Sequence, residues 1–333
     1  MTTYDIRVVD TRDESLLRAW WEAGAAATAD RPIDAWPAWE VSRRALPVPR
    51  TDGRLVLLSA VDAGVTVGAG MLFMLRHDNT HLAEGEVFVH PDHRRRGIGR
   101  TLLAELERLA MADGRTVMIG AAFAPIDAES PGSLFAAEMG YPVASAEHTK
   151  VLDLKEAPAH WGPIDAEVAA ALGDYRVVVF EERIPDEYID DFCGLLSVFI
   201  GEIPTGDLEL EEASWTPERL RDNERRAAAI GRLQVIGAAI APDGHLCGFT
   251  DVKIDRADPR HAAVGGTLVL PGHRGHRLGI AMKLATHRRT AELFPSCAYV
   301  ETGNAGVNAT MNAVNARMGY RVVERCLDVQ KRL

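Results

Sequence analysis

Two stretches of this chain pair arginine and histidine with glycine in one spacing. The first is His93-Arg94-Arg95-Arg96-Gly97-Ile98-Gly99-Arg100. The second, 180 residues on, is His273-Arg274-Gly275-His276-Arg277-Leu278-Gly279-Ile280. Each follows a short apolar run whose valine stands two residues before a proline (Val89 and Pro91, Val269 and Pro271), and each leads into a stretch with helical spacing. A strand that ends at a helix start leaves several backbone N–H groups without partners, aimed at one place. The helix dipole adds partial positive charge there, and glycine lets the backbone approach a ligand with no Cβ in the way. Such a turn holds phosphate or pyrophosphate, which also explains why three arginines are tolerated side by side. The copies differ at one point, where Gly97 is matched by Arg277. If that position needs a positive φ, an arginine there costs about 1 kcal/mol or more. Otherwise the second turn takes another shape and offers its guanidinium to a phosphate.

The elements that must position these turns repeat in the same order. In the first half, strands are expected at 6–9, 54–60, 65–75, 82–89 and 117–121, with an extended stretch over 143–154. Helices are expected at 14–28, at 98–112, where Ile98, Leu102, Leu106 and Leu109 share a face, and at 133–139 before Gly140-Tyr141. In the second half, strands are expected at 175–180, 231–240, 245–254, 263–270, 298–301 and 321–327. Helices are expected at 187–199, 217–229, 278–293 and 305–318, the last before Gly319-Tyr320. The offset of 179 to 180 residues across these landmarks indicates duplication of a whole domain and is too long for a solenoid repeat. Residues 155–172, with two prolines and a glycine, read as the linker, which gives domains at 1–154 and 173–333. The expected fold class is α/β, each domain a mixed, mostly antiparallel sheet flanked by helices.

Composition narrows the partners. A chain of 333 residues suits two domains of about 150 residues. With 48 acidic against 37 basic residues the net charge is −11, which argues against a nucleic-acid surface. The local basic clusters suit a small anionic ligand better than a polyanion. No apolar run approaches the roughly 18 to 20 residues that span a bilayer, and Met1-Thr2-Thr3-Tyr4-Asp5 lacks a signal-peptide layout. Cys193, Cys247, Cys297 and Cys326 form no CxxC pair, so they read as reduced thiols of a cytoplasmic protein, with no metal site expected.

The pattern Val-x-Pro-x-His-Arg-x-x-Gly-x-Gly before an amphipathic helix resembles the acyl-CoA signature of the GNAT superfamily of N-acetyltransferases. The run Thr302-Gly303-Asn304-Ala305-Gly306-Val307-Asn308 through Met318-Gly319-Tyr320 is similar to that family's later strand–helix motif. The resemblance covers both halves, so the chain resembles the tandem two-domain form of the superfamily, similar in kind to mycothiol synthase. It implies acetyl-CoA as the acyl donor and a small-molecule amine as the acceptor, joined by direct transfer in a ternary complex. It implies that backbone N–H groups of Arg95 to Arg100 and of Gly275 to Ile280 bind the CoA pyrophosphate, with Arg94 and Arg274 beside them. It also implies that Phe88-Val89 and Leu268-Val269 lie along the pantetheine arm, where a backbone N–H would polarise the thioester carbonyl, and that Asn308 hydrogen-bonds the arm. Glu129 stands at the Asn308 position of the first half. Where many family members place a tyrosine that protonates the CoA thiolate, this chain has Ala136 and Asn315. The alternative reading is therefore a CoA-binding sensor or scaffold with one or both halves catalytically silent.

Amine acetylation needs a neutral amine, so a base or water chain must accept a proton. Glu84 and Glu86 alternate on the strand before the first turn and share one face. Either that face is solvated, or the two carboxylates raise one another's pKa and supply the base. The equivalent strand of the second half, 263–269, has no carboxylate, which leaves Glu301, Asp251 and His261 as the nearby candidates. Trp20, Trp21, Trp36 and Trp39, with Asp30-Arg31-Pro32 between them, either pack as core or wall an acceptor pocket, as that region does in the family. The acidic run 207–212 is a solvated face or an attractor for a cationic acceptor. No Gly-x-Ser-x-Gly elbow supports serine hydrolase chemistry.

Overall fold

The computed structural model describes residues 4–333; Met1, Thr2 and Thr3 of the N-terminal stretch read above lie outside the described residues. The chain forms two compact units. Among the described residues unit 1 is 4–146 with 206–209 and 325–333, and unit 2 is 147–205 with 210–324.

In unit 1 the first-half order is β1 (Asp5–Val8), α1 (Glu14–Thr28), α2 (Trp39–Ala45), β2 (Gly53–Asp62), β3 (Val65–Leu75), β4 (Leu82–Val89), α3 (Ile98–Ala112), β5 (Val117–Ala124) and α4 (Pro131–Glu138). Asp13 starts α1 by accepting from the Ser15 and Leu16 amides at 2.9 and 3.1 Å. Ser130 and Ser133 cap α4 reciprocally. Strands β1 to β4 pair antiparallel in sequence order, and β5 joins β4 in parallel. Ile98, Leu102, Leu106 and Ala110 of α3 are buried and pack against Leu58, Val67, Leu72 and Met74. On the other sheet face Leu17, Trp20 and Ala23 of α1 pack on Leu57 and Ala69.

The chain continues through β6 (Val143–Asp153), α5 (Gly162–Ala171), β7 (Arg176–Glu181), α6 (Ile189–Val198), α7 (Pro217–Ile230), β8 (Arg232–Ile240), β9 (Leu246–Asp255), β10 (Asp258–Val269), α8 (Leu278–Leu293), β11 (Tyr299–Ala305), α9 (Ala309–Met318) and β12 (Arg321–Arg332). Unit 2 repeats the plan of unit 1: β7 to β10 pair antiparallel and β11 joins β10 in parallel.

The sixth strand of each sheet comes from the far end of the other half. In unit 1, Arg325–Arg332 of β12 pair antiparallel with Val117–Ala124 of β5. In unit 2, Glu147–Asp153 of β6 pair antiparallel with Tyr299–Ala305 of β11. Unit 1 also receives residues 206–209, anchored by Asp207 N–H to Ala144 O at 2.8 Å and by a double contact between Arg332 and Glu209 at 3.0 Å. Residues 155–172, expected as a connection, hold a 3-10 turn at Ala157–His160 and the helix α5, whose preceding Trp161 is fully buried in unit 2. The helix expected over 305–318 begins only at Ala309, because β11 runs on to Ala305 and Asn308 caps the helix. Helix α2 has no counterpart in the expectations. No helix among the described residues is long and apolar enough to cross a membrane.

Candidate active site

Both basic turns have one geometry. After β4 the chain folds through a 3-10 turn at Pro91–His93, then a left-handed residue at Arg95 (φ 62°) and another at Gly97 (φ 87°), and enters α3. After β10 it folds through Pro271–His273, then left-handed Gly275 (φ 94°) and Arg277 (φ 58°), and enters α8. The second turn therefore keeps the positive φ with arginine in place and takes no alternative shape. Each turn has two left-handed positions and one glycine, and the two turns place that glycine at opposite positions. The first helical bonds are Thr101 N–H to Gly97 O and Ala281 N–H to Arg277 O, at 3.1 and 3.0 Å. The amides of Ile98–Arg100 and Leu278–Ile280 precede them and are left for an anion. This backbone cradle fits a pyrophosphate in both units.

The side chains around the cradle have separate tasks. Arg94 turns back to donate to Val89 O at 3.3 Å and Ala27 O at 3.0 Å. Arg274 donates to Val269 O at 3.0 Å and Glu202 at 2.6 Å. These two hold the strand end to the turn. Arg96 pairs with Asp62 at 2.9 Å, and its carbonyl accepts from Tyr4 Oη at 3.0 Å. His276 lies 4.6 Å from the Tyr175 ring, and Tyr175 Oη bonds His273 at 3.1 Å. Arg95 is left 89% exposed at the mouth of the first turn, and Arg100 pairs with Glu138 at 2.8 Å. Arg277 extends toward Glu167, 3.7 Å away. Ile98, Leu278 and Ile280 are core residues, so only their amides face a ligand. A Cβ on Gly99 would meet the Phe135 ring at 3.3 Å, whereas one on Gly279 would meet nothing nearer than Val269 at 4.0 Å.

Below each turn the sheet opens. β4 and β5 pair in parallel only over Leu82–Glu84 with Val117–Ile119, and β10 and β11 only over His261–Ala263 with Tyr299–Glu301. Beyond those pairs the strands separate, so the backbone groups of β4 up to Val89 and of β10 up to Val269 on that side have no ladder partner. An extended chain such as a pantetheine arm fits this wedge by taking those groups as hydrogen-bond partners. β10 adds a bulge between Val264 and Gly266; β4 pairs with β3 without one. Asn308 accepts from Met311 N–H at 3.1 Å as the cap of α9. Glu129, its first-half counterpart, accepts from Ser133 Oγ at 2.6 Å.

Glu84 and Glu86 share the face of β4 that looks toward α1, and neither is tied in a hydrogen bond or ion pair among the described residues. Burial raises both carboxyls above the usual range. Glu84 adds to the rise at Glu86, and Arg31 opposes it. Glu84 keeps solvent access and Glu86 is half-buried. The recess around them is aromatic: Trp36 packs edge-on to Phe88 at 4.8 Å and against Trp20 at 5.3 Å, and the Arg31 guanidinium stands 3.5 Å over Phe123. Trp20 Nε1 donates to Gly70 O and Trp21 Nε1 to Pro37 O, while Trp36 Nε1 is buried without a partner. Phe88 thus faces this recess, whereas Leu268 is buried in an apolar cluster with Phe192 and Phe249.

The matching place in unit 2 is filled. Gly266 stands where Glu86 does, opposite Asp251 as Glu86 is opposite Met71, and a Cβ on Gly266 would lie 2.9 Å from the Phe199 ring. The carboxylate has moved one strand over, to Asp251, which accepts from Gln234 at 2.9 Å and faces Lys253 at 3.5 Å. Glu301 sits at the apex of the wedge, paired with Ala263. His261 stacks on Tyr299. Among the described residues no group of three His, Cys, Asp or Glu is placed to hold a metal ion.

Residues 14–147 match the model of the acetyltransferase (GNAT) family. Across 99% of its length the chain is similar to the structure of a tandem GNAT protein from the clavulanic acid biosynthesis pathway, at 29% identity and TM-score 0.82, covering 98% of that chain. It also shares its fold with a GCN5-related N-acetyltransferase from Sphaerobacter thermophilus, at 16% identity and TM-score 0.64, over 99% of this chain and 95% of that one. No curated protein matches the chain in sequence.

Proposed function

Residues 14–147 are a domain of the GNAT acetyltransferase family within an acyltransferase of tandem GNAT form, and on that premise we propose that unit 1 acetylates a small amine held beside Glu84 and Glu86. The observation that carries this reading is the pair of unbonded, raised carboxyls in an aromatic recess on the strand that ends at the phosphate turn. Acetyl-CoA supplies the acetyl thioester. The amides of Arg95–Arg100 bind its pyrophosphate, and the wedge between β4 and β5 receives the arm. Trp36 and Phe88 wall the acceptor. Glu86 accepts the proton that the ammonium must lose, and a carboxyl raised toward neutrality is suited to that task. The amine then attacks the thioester carbonyl, the C–N bond forms, the C–S bond breaks and the CoA thiolate leaves. Ala136 offers no acid, so solvent takes the remaining extra proton from the attacking nitrogen and protonates the thiolate.

A second reading applies to unit 2, where Phe199 covers Gly266 and Asp251 is held by Gln234. There the turn binds acyl-CoA without transferring its acyl group. The test is CoA release with a panel of small amines. Turnover that Glu86→Gln abolishes and Glu301→Gln leaves intact supports the assignment. Turnover that follows Glu301 instead overturns it.

A further inference from the structure

The acceptor recess of unit 1 holds two carboxyls, and the proposed transfer uses one of them. Glu86 lies beyond the last pairing of β4 with β5, in the open wedge, and Glu84 lies in that last pair, with Ile119. Both project from one face of β4, so their points of attachment are about 6.7 Å apart. The strip beside them is apolar: Met71 and Phe73 of β3 stand directly across from Glu86 and Glu84. Trp36 and Phe88 form the wall next to Glu86. No part of the protein has to open for a ligand to arrive. Glu84 is exposed, and Glu86, Met71, Phe73, Trp36 and Phe88 are each partly open to solvent.

The neighbouring cations leave both carboxyls to a ligand. Arg50 is engaged with Asp52 through two bonds, at 3.0 and 2.6 Å, and lies 4.2 Å over the Phe73 ring. Arg31 lies over Phe123, on the β5 side of the wedge. Among the described residues neither arginine makes a hydrogen bond or ion pair to Glu84 or Glu86. After burial itself, the strongest influence on the Glu86 carboxyl is Glu84, ahead of the opposing Arg31. The recess is therefore net negative where the carboxyls stand, and it disfavours an anionic group there. A carboxylate withdrawn from water without a protein partner is stabilised by a cation that a ligand brings. Two such carboxyls side by side call for two cations.

We propose that the acceptor of unit 1 is a short α,ω-diamine, one nitrogen reacting at Glu86 while the other stays an ammonium paired with Glu84. This rests on the reading of Glu86 as the base. An extended chain advances about 1.2 Å per bond, so the five bonds of a four-carbon diamine span about 6 Å and match the spacing of the carboxyls. The methylenes lie over Met71 and Phe73. Transfer forms the C–N bond at the nitrogen beside Glu86, breaks the C–S bond of the thioester and leaves the far ammonium unchanged. The product is a monoacetylated diamine. To react again it would have to turn round and set its neutral amide at Glu84, which forfeits that ion pair, so the reaction stops after one acetyl group.

The test measures kcat/KM by CoA release at fixed pH and salt, with butylamine, the four-carbon diamine and the four-carbon ω-amino acid as acceptors. The diamine should exceed butylamine by about 10- to 100-fold, the range expected of one hydrogen bond between charged groups, and mass spectrometry should find one acetyl group per diamine. Glu84→Gln should bring the diamine and butylamine within about threefold of each other. Glu84→Asp draws the carboxylate back by one methylene, so the best diamine should lengthen from four carbons to five; this variant serves if the glutamine variant does not fold. Equal rates for diamine and butylamine in wild type overturn the proposal, as does a ratio that Glu84→Gln leaves intact or an optimum that Glu84→Asp leaves unmoved. A preference for the amino acid also overturns it and assigns the far group to Arg31. In each of these cases, loss of turnover in Glu86→Gln still leaves Glu86 as the base. Turnover that survives Glu86→Gln overturns that reading, and the proposal with it.

Discussion

Unit 1 presents two unbonded carboxyls in an aromatic recess; unit 2 presents a phenylalanine ring over a glycine at the same place. The reverse holds in the core, where the buried Leu103 and Ala136 of unit 1 are matched by the buried Lys283 and Asn315 of unit 2. The left-handed turn that leaves helix-start amides unpaired is common to both. The two units therefore share the left-handed turn that leads into α3 and α8, while the side chains around Glu86 and Gly266 have parted.

The largest effect expected from breaking this contrast is on chemistry. Glu86→Gln should lower kcat/KM for acetyl transfer by about 10²- to 10³-fold, measured by CoA release, with Glu301→Gln within twofold of wild type. In wild type the rate should climb with pH through a value above the ordinary carboxylate range, because Glu86 works deprotonated and its carboxyl is raised. The glutamine variant should lose that limb. Next, Gly99→Trp should weaken CoA at the first turn by about 100-fold, since it obstructs the amides that hold the phosphates. Gly279→Trp should remove the other CoA and spare turnover. If both variants lose turnover, the units are not separable in function.

Smaller effects concern stability. Burial holds the Lys283 ammonium at about 7 in the folded chain, against an ordinary lysine value of 10.5. Between those values the unfolded chain binds one more proton, so stability climbs with pH across that window and is lowest below it. Lys283→Met should flatten this rise and stabilise the chain at neutral pH, read in denaturant melts across pH. The smallest effect tests the swapped glycines. Arg277→Gly should stabilise unit 2 and Gly97→Arg destabilise unit 1, each by about 1 kcal/mol, read as opposite shifts in melting temperature.

Much of this architecture is legible in the residues. The periodicity of Ile98, Leu102 and Leu106 gives α3 its observed ends, and 278–293 does the same for α8. Aligning Arg95 and Gly97 with Gly275 and Arg277 already contains the glycine swap, although only φ values show that both positions are left-handed. Helix α2 escaped because seven residues after Pro37 give too little periodicity. The run 305–308 carries no local mark separating the end of a strand from the start of a helix. Glu84 and Glu86 are legible as a pair on one face, but not the ring of Phe199 that closes the other unit, since that contact joins residues far apart in sequence. Lys283 sits at a polar position of a helical pattern, and nothing local distinguishes a buried lysine from a solvated one.

The exchanged strands give synthesis an order of events. The final strand pairing of unit 1 joins residues some 200 positions apart, as in Arg325 Nε to Pro125 O at 3.0 Å. Its sheet therefore stays open at β5 until β12 has been made, and the unpaired edge waits through the making of unit 2. An exposed edge is a template for wrong pairing, and contacts this distant slow folding. The chain is thus most vulnerable to aggregation before β12 is made, and loss of residues 325–333 would strip the first unit rather than the second.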